Sequence, residues 1–414
     1  MKKIIASASL AAVGAVSLQA ALEQGLTPAE SAKPWNISAT LRGFYDDNYD
    51  TRPTGQRLNS FGFEVSPTAS ANYVWAQNAA SLSYTYRMRY YENRAHYHES
   101  SADHTHLING SFEHSFSDQY KLDLSDAFVI AQEPELIDPS GSIRRRANGS
   151  NIRNTASARL RGDVTRLFGF ELGYSNTFYD FDDPFYALLL NRMHHLAHLD
   201  LRWHALPQTW GILGYQFGLV DYTHSAEGVI DPEVRNNRSH YIYLGADHAM
   251  MGGKVNAYGR IGGQITDFYN ADRVPGADET TASPYADFGA TWAYMPGSFL
   301  QLGIRHSRLA TDIFAFDQEA TTLYGQVSQQ ITPKLTCNLT AQYQNASFND
   351  SSQPNIDGKI ENYYIAGVNL AYQIMTAPVA VAAETGYNLD VLDSQLSDRS
   401  YTRNRVYLGV RASY

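Results

Sequence analysis

The chain has 414 residues, a formal net charge of −10 at pH 7, one cysteine, and 13% aromatic residues that include 29 tyrosines. The acidic balance excludes nucleic acid as a partner, since that affinity comes chiefly from Lys and Arg on phosphates. The lone Cys337 excludes an internal disulfide framework and a cysteine-rich zinc site. A mean hydropathy of −0.37 fits a membrane protein only if the apolar face is hidden at every second residue.

Lys2 and Lys3 head an apolar run from Ile4 to Val16 that ends in small residues around Ala20 and Ala21. That is the layout of a secretory signal peptide, so residues 1–20 are expected to be cleaved, with 21–34 a short periplasmic segment. The run is too short to span a bilayer, which takes about 20 apolar residues. The longest later run, 377–383, contains a proline. The exported chain therefore either stays soluble or enters a membrane as strands.

From residue 35 one pattern recurs: about ten alternating residues, a short turn, about ten more, then a longer polar loop. Strands are expected at 35–47, 60–75, 79–91, 104–116, 120–130 and 152–164. They continue at 168–180, 192–205, 209–221, 240–248, 254–267 and 284–294, and finish at 298–308, 320–331, 334–347, 361–374, 379–389 and 400–414. The clearest copy sets Leu82, Tyr84, Tyr86, Met88 and Tyr90 against Ser81, Ser83, Thr85, Arg87 and Arg89. The runs near 104–116, 209–221 and 240–248 are the least regular, which leaves 16–18 strands, with about 18 preferred. Pro67 inside the second predicts a bulge or strand end.

Short connectors such as Pro207-Gln208 and Met295-Pro296-Gly297 alternate with long ones such as 92–103, 131–151 and 222–239. A β-sandwich or propeller has no reason to keep that alternation, and its strands are usually only about 5–6 residues long. Aromatics also cluster near strand ends: Tyr84, Tyr90, Phe168, Phe178, Trp203, Trp292, Tyr294, Tyr364 and Tyr372, as interfacial girdles require. The expectation is an all-β chain: over 35–414, a transmembrane antiparallel up-and-down β-barrel with long extracellular loops and short periplasmic turns, lodged in the lipid of an outer membrane.

If the apolar set faces lipid, the opposite set lines the lumen, because an Arg or Lys on the lipid face costs about 2–4 kcal/mol at the midplane. This sends inward the cations Arg42, Arg87, Arg89, Lys121, Arg159, Arg161, Arg202, Arg260, Arg305, Arg403, Arg405 and Arg411. The acids on the same phase are Glu64, Glu113, Asp123, Glu171, Asp200, Asp247, Asp287 and Glu384. Such charges either set the field in a water-filled channel or pair with one another along the wall. The third long loop, 131–151, carries Glu133, Glu135 and Asp138 in one half and Arg144, Arg145 and Arg146 in the other. In position, length and split charge it is similar to the third loop that narrows general porins, which are often homotrimers.

The terminal aromatic Tyr414, on an alternating last strand, resembles the signal read by the barrel assembly machinery. Gly43-Phe44-Tyr45-Asp46-Asp47-Asn48-Tyr49-Asp50, followed by Phe61-Gly62-Phe63-Glu64-Val65-Ser66-Pro67, is similar to the opening of the β-barrel porin type 2 family. Members of that family occur beside exopolysaccharide genes. The resemblance implies either a diffusion pore or a barrel linked to polysaccharide export or surface attachment.

Other chemistry finds little support. His194, His198 and His204 share an inward face with Asp200 and Arg202, an arrangement a metal or hydrolytic dyad would use. No G-x-S-x-G or H-E-x-x-H motif accompanies them. Asp46, Asn48 and Asp50 are spaced like a calcium loop, but Thr51 and Arg57 stand where that loop needs Gly and Glu. Asp180, Asp182 and Asp183 are acidic enough for weak external calcium. Cys337 shares the phase of Leu335 and Leu339, so it reads as packing. The expected function is passive passage of small hydrophilic solutes through the outer membrane, with no enzyme activity, cofactor or metal. The alternative is a barrel serving polysaccharide export or surface attachment.

Overall fold

A computed structural model describes residues 34–97, 100–137, 140–223 and 231–414; the expected signal peptide lies outside them. The first six strands are β1 (Trp35–Asp46), β2 (Ser60–Trp75), β3 (Asn78–Tyr91), β4 (Ala102–Ser115), β5 (Tyr120–Ala131) and β6 (Asn151–Asp163). Next come β7 (Phe168–Asp180), β8 (Arg192–Leu206), β9 (Thr209–Tyr222), β10 (Asn237–Met250), β11 (Val255–Asp267) and β12 (Thr280–Met295). The last six are β13 (Ser298–Leu309), β14 (Asp317–Thr332), β15 (Leu335–Asn349), β16 (Ile360–Met375), β17 (Ala380–Ser394) and β18 (Tyr401–Ser413). Each strand pairs antiparallel with the next, and β1 pairs with β18 from Ser38↔Ser413 to Asp46↔Arg405. The sheet is closed, so no strand edge is left unpaired.

Strands of 12–16 residues exceed the 9–11 that a tilted strand needs to cross a bilayer, so their ends project beyond it. Alternation then decides the two surfaces. Leu41, Leu82, Leu172, Leu213, Ile242, Leu244, Ile261 and Leu408 stand exposed on the outside, while their neighbours point into the lumen. Toward the loop ends the outer face turns amphipathic. Tyr84, Tyr174 and Tyr215 place their hydroxyls 2.9, 2.7 and 2.7 Å from Nδ1 of His106, His195 and His240, a composition suited to the headgroup level.

One end of the barrel carries tight turns. In one, Pro296 and Gly297 fill the centre of a Met295–Ser298 reversal, and Gly297 takes φ +74°, the left-handed value that a Pro-Gly turn requires. The other end carries the loops. Pro67 departs from expectation, since β2 continues through it with neither bulge nor break. Its register with β1 is regular (Ala39↔Pro67), and toward β3 the ladder merely skips Ser66 and Pro67 between Val65↔Met88 and Thr68↔Thr85 without shifting. The missing N–H is absorbed by that two-residue gap.

Two loops carry short helices, α1 (Pro134–Ile137) and α2 (Pro184–Leu190). Asp183 caps α2 by accepting hydrogen bonds from the Phe185 and Tyr186 N–H groups. Asp182 accepts from the Ser150 N–H, and Asp180 from Asn191 Nδ2. Those three acids thus serve local geometry. Inside the mouth, Leu136, Ile143, Ala147, Leu189 and Leu190 from these loops pack on Leu107, Val129 and Tyr179 of the wall. Val234, Phe268, Ala271 and Phe316 form a second apolar cluster, and Phe314 touches both.

Candidate functional site: the lumen and its inserted loop

The twenty charged residues expected to line the lumen share the strand phase opposite the exposed apolar side chains, and most are engaged with one another. Arg42 donates to Glu384 at 2.8 Å and to Glu64 at 3.2 Å. Arg89 donates to Glu64 at 2.8 Å, and Arg87 lies 3.8 Å from the same carboxylate. Arg159 and Arg161 flank Glu171, Arg202 and Arg260 share Asp247, and Lys121 sits between Glu113 and Asp123. Arg411 and Asp287 also point inward, and Asp200 accepts a hydrogen bond from the Tyr243 hydroxyl.

The loop after β5 folds into the barrel and binds the wall at three places. Glu133 is almost fully buried and accepts from Arg89 Nη1 at 2.9 Å, Arg403 Nη1 at 2.6 Å and Arg405 Nη2 at 3.2 Å. Burial alone pushes this carboxyl up, but the Arg403 and Arg89 guanidiniums outweigh it and hold it down at about 2. Arg144 has no exposed surface. It donates to Glu361 at 2.7 Å, to Gln318 at 2.6 Å and to Gln344 at 2.7 Å on three consecutive strands. Its carbonyl accepts from the Tyr401 hydroxyl, and its N–H donates to Asp312. Arg146 donates to Asp103 at 2.8 Å and to Asp50 at 3.2 Å. Burial lowers its pKa, but Asp103, Tyr91, Glu133 and Asp50 together raise it above its ordinary value. Arg145 is half-buried. Asp138 lies outside the described residues, and the side chain of Glu135 is not among those described.

Below this loop is a cavity of about 60 Å³ lined by Arg42, Arg87, Arg89, Arg405, Glu64 and Asp390, with Phe44, Leu136, Ile365 and Tyr407 as its apolar part. Four guanidiniums and two carboxylates line it, and Glu384, Glu133 and Asp46 pair with three of the same guanidiniums from just outside it.

The opposite wall, β9 to β14, is built differently, and sequence reasoning missed its main residues. Tyr241, Tyr243, Tyr258, Tyr285 and Tyr324 all lie on the inward phase. Several lie flat across a glycine of the next strand. A Cβ on Gly303 would meet Tyr324 Cζ at 2.2 Å, one on Gly289 would meet Tyr258 Cε1 at 2.5 Å, and one on Gly214 would meet Tyr243 Cε2 at 2.1 Å. The signal was present as inward tyrosines paired across the ladder with inward glycines, such as Gly303↔Tyr324. It is obscured because tyrosine suits a lipid interface as well as a lumen wall. On this wall Arg305 is exposed although it points inward. Space beside it is therefore open.

The inward histidines do not converge. His194 accepts from Arg192, His198 lies 3.5 Å from Glu171, and His204 stacks on Trp210 with ring centres 4.5 Å apart. Among the described residues no group of His, Cys, Asp or Glu is arranged to hold a metal. Cys337 is a half-buried free thiol.

Comparison with known proteins adds a family likeness. Residues 318–414 match the model of a family described as "Putative beta-barrel porin 2". The matched stretch is β14 to β18, whereas the residues resembling that family in sequence lie at the other end, in β1 and β2. The family model is that of a porin and not of an enzyme. No curated protein sequence matches the chain. Solved structures that resemble it include Pseudomonas aeruginosa OpdK with vanillate, at 12% identity and a TM-score of 0.44, covering 92% of this chain and 99% of that one. Another is P. aeruginosa OccK2 (OpdF) in complex with glucuronate, at 11% identity and 0.44, covering 92% and 98%. A third is Acinetobacter baumannii OccAB4, at 10% and 0.43, covering 94% and 100%. The fold itself rests on the closed strand order.

Proposed function

We propose that the chain is an outer-membrane channel for passive diffusion of small hydrophilic solutes, with the inserted loop between β5 and β6 as its constriction. The observation that carries this reading is Arg305, an inward side chain of an 18-stranded barrel that remains exposed. Barrels of that size are too wide for wall side chains to fill, and here only part of the section is taken up by the loop. A charge-lined, water-accessible lumen conducts ions and small polar solutes. Glu133, Arg144 and Arg146 fix the constriction, and the other inward charges solvate the wall. Membrane lipid surrounds the exposed outer face, and Tyr414 serves as the assembly signal, as its likeness to such signals implies. No cofactor enters this reading.

The test is single-channel recording of the refolded barrel in a planar bilayer. Stable steps in potassium chloride are expected; a folded barrel that never conducts would overturn the channel reading. That result would favour the second one, a barrel for polysaccharide export or surface attachment. One observation supports this alternative: Arg235 ties the mouth loops together. Its guanidinium donates to the Leu189 carbonyl at the end of α2 at 2.9 Å and stacks on Tyr222 at 3.9 Å, so the loops meet as a cap.

A further inference from the structure

We propose that Arg305, with Tyr258 and Tyr324, forms a lumenal binding station for a ring-bearing carboxylate. The proposal rests on the channel reading only for the route by which the solute arrives.

Of the twelve cations that the sequence pattern sends inward Arg305 alone is exposed, and it makes no hydrogen bond or ion pair with any described residue. Its partner across the ladder is Asp287. That carboxylate accepts a hydrogen bond from the Tyr258 hydroxyl at 3.0 Å, and no ion pair joins it to Arg305. An aqueous guanidinium with five donors in a planar fork is suited to bidentate pairing with a carboxylate.

The surface beside it is aromatic and flat. Tyr258 on β11 lies over Gly289 of β12, and Tyr324 on β14 lies over Gly303 of β13. Their hydroxyls meet at 3.2 Å, so the two rings bridge β12 and β13. The Gly289↔Gly303 pair is two residues along from Asp287↔Arg305, about 7 Å at the rise of a strand. Each ring rests one face on glycine backbone, and both are only half-buried, leaving the other face toward the lumen. A carboxylate on Arg305 thus places an attached ring over this pair. Planar aromatic rings and the apolar faces of sugar rings both stack there, so benzoate and glucuronate are the two probes.

The experiment combines current recording with calorimetry on the refolded barrel in detergent. In the wild type, benzoate or glucuronate is expected to produce transient current blocks and measurable heat, while acetate, lacking a ring, binds more weakly. Arg305→Gln should weaken binding about 10- to 100-fold, as expected for a lost charge-assisted pair. Tyr258→Leu with Tyr324→Leu should lower benzoate affinity about 2- to 10-fold and leave acetate unchanged. Asp287→Asn should strengthen binding by removing the competing charge. Resistance to unfolding in unheated gel electrophoresis establishes the fold of each variant. Blocks by benzoate alone assign an aromatic acid, and blocks by glucuronate alone assign a sugar acid. Conduction with neither block nor heat would refute the station and leave the channel intact. Heat that disappears in Arg305→Gln, from a barrel that never conducts, would support the station and refute the channel. Equal binding by acetate or by Arg305→Gln would overturn the proposal.

Discussion

Glu133→Gln removes one negative charge from the place where the inserted loop meets three guanidiniums. Gln keeps the shape and one acceptor, but Arg89, Arg403 and Arg405 are left with only Asp46, Glu64 and Asp390 as counter-charges. The carboxyl sits at about 2 in place of its ordinary 4.5, which corresponds to roughly 3 kcal/mol favouring the docked, ionised loop. Removing one partner of a buried pair commonly costs about 3–5 kcal/mol, in line with that figure. The sign follows from the lowered pKa: the contribution is complete above about 4.5 and is lost as pH falls toward 2. Arg144 and Arg146 still hold the loop, so it loosens without leaving. In planar bilayers the variant should therefore show noisier currents of higher mean conductance at pH 7. The wild type should pass to that behaviour only on acidification between about pH 4.5 and 2. A variant indistinguishable from wild type at pH 7, and retaining the same acid response, would refute the role given to Glu133.

Replacing Arg144, Arg145 and Arg146 with Ala removes three positive charges from the constriction and should shift the reversal potential in a salt gradient toward cation preference; unchanged currents would contradict it. Gly303→Val drives a side chain into the space of Tyr324 and tips the ring into the lumen, so conductance should fall while the barrel still resists unfolding in unheated gel electrophoresis. Leu244→Arg puts a charge on the exposed outer face and should destabilise the barrel by about 2–4 kcal/mol in urea unfolding from liposomes, with pore conductance retained.

Strand number and inward phase were legible in the sequence because both follow from a period of two that lipid on one side enforces. What could not be read was which inward charge is neutralised. Arg42 meets Glu384 across 342 positions, and Arg305 sits in the same local pattern as Arg260 yet has no bonded partner among the described residues. That difference depends on cross-strand register, which turn and loop lengths set at long range. Pro67 misled for the same reason: its local preference is real, but the regular ladder to β1 overrides it. The loop from 131 to 151 showed its split charge in sequence. Its three anchors became visible only with the strands they bind.

The seam between β1 and β18 is fastened by charge as well as backbone. Asp46 accepts from Arg403 and Arg405, and Arg42 reaches Glu384 on β17. A nascent barrel that has not yet received its last two strands therefore leaves an uncompensated acid, Asp46, on its opening strand, and leaves Arg42 there with Glu64 of β2 in place of Glu384, both facing inward. An unfinished cylinder is electrostatically marked as unfinished, and the final zipping step carries its own reward.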